Sequence, residues 1–151
     1  EIPKRDWSSD VCSSDLHIDN LARFVAPGKV LCGWTAHKTD ANYPVLRQNY
    51  DILRRATDHM GDKLEVIRVP MPSPKTVFLR GKRRRLSESY MNFYVANGVV
   101  LVPQFRDVND GVALDIIQRA FPDRTAVGID CSDLVYGAGT LHCITQQQPA
   151  P

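Results

Sequence analysis

One cysteine near the end of the 151-residue sequence has the surroundings of a nucleophile. Cys143 lies in the stretch GAGTLHCITQQQP (137–149), shortly after Gly137 and Gly139. Glycines let a backbone approach a ligand closely, and a thiol attacks as its thiolate, which a nearby positive charge stabilises. We therefore expect Cys143 to be exposed at the start of a strand over 141–145 and to act as a nucleophile.

The stretch HIDN (17–20) supplies two groups that could serve such a nucleophile. If the stretch is extended, period-two alternation places the side chains of His17 and Asp19 on one face. A carboxylate beside an imidazole orients the ring and favours its protonated form, so His17 fits a general acid and base and Asp19 fits a group that grips a cation. Taken alone, each pattern is more typical of a structural role: a buried apolar cysteine, or a polar pair on the surface.

The composition is that of one ordinary globular domain, with 43% apolar residues, 24% charged residues and a formal net charge of +2. Only RGKRRR (80–85) is strongly basic, and because it lacks interleaved aromatic residues we interpret it as a solvated hairpin loop and expect no nucleic-acid partner. No run of about 18 apolar residues could cross a membrane. No leader with a basic and an apolar region is visible either, so we expect a cytoplasmic location.

The four cysteines are expected to be free thiols. They are Cys12, Cys32, Cys131 and Cys143. Their spacing shows neither a CxxC pair nor a combination with histidine that is typical of zinc sites, and disulfides are rare in a reducing compartment.

An internal repeat predicts the architecture. The stretches LARFVAPGKVLCGWT (21–35) and MNFYVANGVVLVPQF (91–105) align without a gap, 70 residues apart. Each has the pattern of a hairpin, with turns at Pro27-Gly28 and Asn97-Gly98. Asn-Gly favours a type I′ turn, which needs positive φ at both central residues.

A helix and a further strand follow each hairpin. The first helix is predicted from about Asn42 to Gly61, and the second from about Asp110 to Phe121. Strands follow at 64–70 and 125–130. The unit strand-strand-helix-strand therefore occurs twice, and two such units need each other or further neighbours to bury a core. The fold class is α/β, as part of a larger repetitive assembly.

The first sixteen residues do not follow this pattern. The stretch RDWSSDVCSSDL (5–16) repeats SSD, has no apolar periodicity and stops abruptly before HIDN. We interpret residues 1–16 as a leader that does not belong to the domain and is either disordered or a sequencing artefact. The alternative is a genuine, native N-terminal arm that is disordered. We expect residues 17–151 to belong to a single domain in this interpretation.

Three motifs carry a resemblance to a known family. HIDNLARFVAPG, SYMNFYVANGVVLVPQF and GIDCSDLVYGAGTLHCITQQQP closely resemble the agmatine deiminases, in the bacterial peptidylarginine-deiminase-like branch of the guanidino-group-modifying superfamily. The resemblance implies a pentein-type α/β propeller, of whose five strand-strand-helix-strand blades about two are present. It also implies that the chain by itself is impaired, since the family has a further substrate-binding carboxylate in blades that precede His17.

The resemblance implies a reaction and roles for three residues. Agmatine would be hydrolysed to N-carbamoylputrescine and ammonia through a covalent thiouronium intermediate, with neither metal nor organic cofactor. Cys143 matches the nucleophile, His17 the acid and base, and Asp19 the carboxylate that holds the guanidinium. The implied partners are agmatine and water, without nucleic acid or membrane, and formation of a homo-oligomer stays open. Leu16 and the GAGT stretch depart from the family, which usually has glycine before the HxD pair and a run of glycines before the cysteine.

Two alternatives stay open. Peptidyl-arginine deimination uses the same nucleophile and differs in what the pocket accepts beyond the guanidinium. A non-catalytic fragment that serves only as a binding module is the second alternative, whereas a papain-like Cys/His hydrolase is disfavoured by the repeat. We attribute four other polar residues in or near the motifs to packing and loop capping, namely Asn92, His142, Asp107 and Asp110.

Overall fold

The computed structural model describes residues 17–79 and 81–148. The leader predicted for residues 1–16 lies outside the described residues, together with Cys12 and with Arg80 of the basic run. In chain order, the elements are a 3₁₀-helix Ile18–Asn20, β1 Ala22–Ala26, β2 Lys29–Trp34, α1 Tyr43–Leu53, β3 Glu65–Pro70, β4 Thr76–Leu79, β5 Lys82–Arg85, β6 Tyr94–Val95, β7 Val99–Gln104, α2 Asp110–Ala120, β8 Thr125–Asp130 and a 3₁₀-helix Leu134–Gly137.

The predicted repeat of strand, strand, helix and strand is confirmed. The first unit builds a sheet with the order β1-β2-β3, and the second builds one with the order β6-β7-β8. In each sheet the first two strands pair antiparallel, and the last two pair parallel across the intervening helix. Both sheets are therefore mixed, as a hairpin followed by a βαβ crossover requires, and the α/β class is confirmed.

The two units share one hydrophobic core. Val102 of β7 and Ile117 of α2 are fully buried at its centre, and Leu31 of β2 and Val69 of β3 belong to the same cluster. Helix α2 contacts β3 of the first unit as well as β7 and β8 of its own. Contact between the units therefore adds to the burial of apolar residues in both.

The basic run forms part of a hairpin between the two units. β4 and β5 pair antiparallel, and Phe78 lies opposite Arg83. Lys82, Arg83 and Arg84 are exposed in β5 itself, so the basic residues lie in a strand of the hairpin rather than in its loop. None of the helices within the described ranges has the length and apolar character that a membrane span requires.

Helix α1 ends at Leu53, so its predicted end at Gly61 is wrong. The carboxylate of Asp58 accepts hydrogen bonds from the backbone N of Met60 at 2.9 Å and of Asp62 at 3.0 Å. Such side-chain bonds offer the backbone an alternative to the helix. Gly61, with φ of 87°, lies in that turn and does not cap a helix. The prediction for the second helix is confirmed, since α2 begins at Asp110 and ends one residue before Phe121.

The hairpin turns at 27–28 and 97–98 are present, but the second is not of type I′. Gly28 and Gly98 have φ of 67° and 76°, and among the described non-glycine residues only Arg106 and Ala138 have positive φ. Asn97 therefore does not adopt the positive φ that a type I′ turn needs. Glycine at the second turn position supplies the left-handed residue, and the backbone N of Ala96 donates to the carbonyl of Val99 at 2.9 Å.

Candidate active site

A short 3₁₀-helix places Asp19 inside the protein. The backbone N of Asn20 donates to the carbonyl of His17, and that of Leu21 to the carbonyl of Ile18, each at 2.9 Å. Asp19 is 8% exposed, whereas His17 is exposed. The extended conformation considered for HIDN is therefore wrong, because a tight helical turn separates the directions of alternate side chains that an extended strand would align.

The segment before β6 carries Asn92 into the same region. Asn92 is 1% exposed, and its backbone N donates to the carbonyl of Ser89 at 3.3 Å. The guanidinium of Arg23 donates to the carbonyls on either side of Asn92, at 3.4 Å for Met91 and 3.1 Å for Phe93, and lies over the Phe93 ring. Burial lowers the pKa of Arg23, and the charge of Asp19 acts in the opposite direction.

The loop 138–143 brings the cysteine to these residues. Residues 141–144 form a turn, so the strand predicted over 141–145 is wrong. Ala138 is left-handed, with φ of 69° and ψ of 16°. A Cβ on Gly139 would lie 2.6 Å from the Cβ of Cys143, so only glycine leaves room for the cysteine there. Gly137, by contrast, has nothing within 4 Å of the corresponding position.

Four side chains meet at this point. The Nδ2 of Asn92 lies 3.0 Å from the Oδ2 of Asp19 and 3.1 Å from the Sγ of Cys143. The Sγ of Cys143 lies 3.6 Å from the Oδ2 of Asp19, and the Nδ1 of His142 lies 2.6 Å from that oxygen. Cys143 is exposed while the carboxylate beside it is buried, so a ligand can reach the thiol from solvent and meet a charge within the same site.

The other end of the Asn92 amide holds the loop. Its Oδ1 accepts from the hydroxyl of Thr140 at 2.8 Å and from the backbone N of Thr140 at 3.2 Å. The backbone N of His142, at 3.1 Å, and that of Cys143, at 3.4 Å, point at the same oxygen. One amide therefore contacts the carboxylate of Asp19, the sulfur of Cys143 and the backbone of the loop that carries the cysteine.

Asp19 keeps one oxygen unused. Its Oδ1 is buried and has no hydrogen-bond partner within the described chain. A buried acceptor without a partner is costly, and a cationic donor that reached it would remove that cost. The described residues contain no group of three or more His, Cys, Asp or Glu side chains arranged to hold a metal ion.

The structure brings two of the three predicted site residues together. Asp19 and Cys143 are in contact. The His17 ring makes no hydrogen bond or ion pair with another described residue, and its role as acid and base stays a prediction. His142 is the histidine beside Asp19.

Sequence reasoning undervalued Asn92 and His142, which were attributed to packing and capping. The interpretation holds for Asp107 and Asp110, since Asp107 accepts from the backbone N of Ser73 and Asp110 from that of Phe105. For Asn92 a signal was available. An amide among the apolar residues of SYMNFY is expected to be buried and must then find hydrogen-bond partners.

The comparisons with known proteins agree with these motifs. A family model described as Porphyromonas-type peptidyl-arginine deiminase matches residues 7–149. A protein of Latilactobacillus sakei named "Putative agmatine deiminase" is 38% identical, and the match covers 89% of this chain and 40% of that protein.

Solved structures show the same likeness. The agmatine deiminase of Enterococcus faecalis is 37% identical with a TM-score of 0.79, and the match covers 88% of this chain and 40% of that one. The agmatine deiminase of C. jejuni is 28% identical with a TM-score of 0.72, and the match covers 84% and 37% of the two chains. The chain thus spans about 40% of the length of the curated relatives it matches. With residues 7–149 matched, it belongs to the Porphyromonas-type peptidyl-arginine deiminase family.

Proposed function

We propose that this chain carries the nucleophile-bearing part of an agmatine deiminase. The observation that supports this most directly is the 3.6 Å separation between the Sγ of Cys143 and the Oδ2 of buried Asp19. A guanidinium that donates to this carboxylate lies beside the sulfur, so binding also positions the carbon for attack.

The proposed reaction balances without an added co-reactant except water. The Sγ of Cys143 bonds to the guanidinium carbon of agmatine, and one nitrogen leaves with a proton as ammonia, which forms a thiouronium. Water then adds to that carbon, and the sulfur leaves as thiolate with release of N-carbamoylputrescine. His17 supplies the proton to the departing nitrogen and takes one from the water in this proposal, as the family resemblance implies.

The bound substrate assists its own attack. A thiolate at Cys143 lies beside the carboxylate of Asp19, and two like charges at this separation repel each other. A guanidinium beside both groups introduces a positive charge close to each, so the thiolate becomes favourable when the substrate is present. No metal or organic cofactor has a role in this chemistry.

The architecture is part of the same proposal. Each strand-strand-helix-strand unit corresponds to one blade of a five-bladed propeller, and the shared core between the two units supports a single domain over residues 17–151. A cytoplasmic location fits the free thiols Cys32, Cys131 and Cys143.

A second candidate is the deimination of peptidyl-arginine. The description of the matching family names that substrate, while the solved relatives cited above are called agmatine deiminases. Both reactions begin with a guanidinium at Asp19 and Cys143. They differ in whether the far end of the substrate is a primary amine or a peptide.

Ammonia release from agmatine and from a blocked arginine peptide tests the two candidates. We expect release from agmatine alone, and its loss in Cys143→Ala. Release from the peptide alone would replace the first candidate by the second, and release that survives Cys143→Ala would refute both. If the chain releases ammonia from neither substrate, the same assay on a chimera decides. In that chimera the Enterococcus faecalis relative supplies the part of its length that this chain does not cover. Inactivity of a folded chimera would contradict the proposal.

A further inference from the structure

We propose that Asn92 is the positioning residue of this site, whose side-chain amide aligns Cys143 with Asp19 and stabilises the thiolate of Cys143. The inference deepens the proposed function and rests on it only in taking the thiolate as the reacting species. The inference is based on the contacts of the buried Asn92 side chain, whose Oδ1 accepts hydrogen bonds and whose Nδ2 donates them.

The hydrogen bonds determine the orientation of this amide. The Oδ1 faces the backbone N of Thr140, His142 and Cys143. A backbone N–H can only donate, so the amide oxygen and not the amide nitrogen must face that side. The nitrogen then points at the carboxylate of Asp19 and the sulfur of Cys143, which are both acceptors. Rotating the amide by half a turn would set donors against donors at one end and acceptors against acceptors at the other.

The nitrogen of Asn92 joins two groups that would otherwise repel. It has two hydrogens, and its two acceptors are the Oδ2 of Asp19 at 3.0 Å and the Sγ of Cys143 at 3.1 Å. A hydrogen bond to an anion is stronger than one to a neutral group. When Cys143 loses its proton next to Asp19, the amide therefore stabilises the thiolate and moderates its repulsion from the carboxylate.

The backbone of Asn92 is held as firmly as its side chain. Arg23 binds the carbonyls of the two neighbouring residues, and the Asn92 carbonyl accepts from the backbone N of His142 at 3.2 Å. The bonds from Arg23 come from β1, outside the loop, and so hold Asn92 independently of it. Asn92 acts as a fixed reference from which the sulfur and the carboxylate keep their separation.

The substitutions Asn92→Asp and Asn92→Ala together separate this role from a purely structural one. The aspartate keeps an oxygen for the loop donors but replaces the donating nitrogen by a second acceptor next to Asp19 and Cys143, and its charge by itself also disfavours a thiolate. Asn92→Ala removes the donor without adding a charge, so a role limited to holding the loop leaves the pH at which Cys143 becomes reactive unchanged in that variant. If the amide nitrogen stabilises the thiolate, the pH at which Cys143 becomes reactive rises. The matched control is Asn97→Asp, the same change in an exposed turn.

The measurement is the pH dependence of iodoacetamide alkylation at Cys143, followed by mass spectrometry of the peptide. We expect the midpoint to rise by about one to two pH units in Asn92→Asp, by less in Asn92→Ala, and not at all in Asn97→Asp. Buried Cys32 and Cys131 report on folding in the same sample, because they are alkylated only if the fold opens. An unchanged midpoint in folded Asn92→Ala overturns the proposal.

A second measurement needs no substitution of Asn92. In the parent chain, the side-chain amide protons of Asn92 should change chemical shift with pH at the midpoint of Cys143 alkylation, and this change should vanish in Cys143→Ala. Amide shifts that stay flat across that range overturn the proposal even if Asn92→Ala fails to fold. Neither readout requires turnover. A folded chimera that is inactive toward agmatine, together with a shifted midpoint in Asn92→Ala, would refute the proposed function and leave the role of Asn92 standing.

Discussion

Both polar atoms of the Asn92 side chain contact Cys143. The Nδ2 of Asn92 lies 3.1 Å from the Sγ of Cys143, and the Oδ1 lies 3.4 Å from the backbone N of the same cysteine. Cys143 is therefore held by a residue 51 positions earlier in the chain. Since the loop around Cys143 has no strand or helix of its own, small changes that move this loop should have large effects on reactivity.

Gly139→Ala should displace the nucleophile. The new Cβ would lie 2.6 Å from the Cβ and 2.9 Å from the Sγ of Cys143, so the loop must shift. We expect at least a tenfold loss of Cys143 alkylation rate and a stability cost of about 1–3 kcal/mol, as for other overpacked sites. The control is Gly137→Ala, where no atom lies within 4 Å of the added methyl group. Equal rates in the two variants would contradict the close contact.

Ala138→Gly should stabilise the protein. Ala138 has φ of 69°, a left-handed conformation that costs an L-residue roughly 1–2 kcal/mol. Glycine removes that strain, but about 0.5–1 kcal/mol of the gain in stability is lost because glycine gives the unfolded chain more conformational freedom. The urea midpoint should therefore rise slightly. Ala36→Gly is the control: this exposed residue has no positive φ, and the same change should lower the midpoint.

Arg23→Lys should loosen the frame around Asn92. Lysine keeps the charge but lacks the planar fork that reaches the carbonyls of Met91 and Phe93. We expect a loss of about 1–2 kcal/mol in the free energy of unfolding, together with slower alkylation of Cys143. Arg119→Lys, on the exposed side of α2, should change neither quantity measurably. If Arg23→Lys behaves like Arg119→Lys, the bonds from Arg23 do not position Asn92.

Asp40 should contribute stability that is lost in acid. Burial by itself would raise its pKa, but the hydrogen bond from Arg85 and that from the backbone N of Asn42 outweigh burial and lower the pKa below the ordinary 3.8. A carboxyl with a lowered folded-state pKa stabilises the fold above its unfolded pKa, and this contribution disappears as the pH falls through the folded value. Asp40→Asn should therefore be less stable by about 1–2 kcal/mol at pH 7 and equal to the parent in strong acid.

Urea unfolding at a series of pH values checks this dependence. The control is Asp51→Asn, which removes an ion pair with Arg47 on the surface of α1. Such exposed pairs contribute little, so its stability should stay within about 0.5 kcal/mol of the parent. A constant difference between Asp40→Asn and the parent at every pH would show that the lowered pKa of Asp40 does not contribute.

The regular elements follow from local patterns and were predictable for that reason. The strand at Thr125–Asp130 has the predicted bounds, and α2 agrees to one residue. Internal similarity between 21–35 and 91–105 was enough to predict two units of the same kind, because segments with the same spacing of apolar residues form the same elements and bury the same side of each. The end of α1 was missed because Gly61, the predicted end, belongs to a separate turn that the Asp58 side chain stabilises.

The candidate site likewise has a part that residue types predict and a part that only packing determines. Residue types alone indicated Cys143 and Asp19 as candidates, because few reactions use both a thiol that follows glycines and a carboxylate in an HxD pair. Which histidine lies beside Asp19, and which amide joins Asp19 to Cys143, depends on segments far apart in sequence whose meeting only packing determines. The sequence by itself thus predicted the repeat, the family and the candidate residues Cys143 and Asp19. The tertiary structure decided their partners, because hydrogen bonds between distant residues form only after the shared core has brought those segments together.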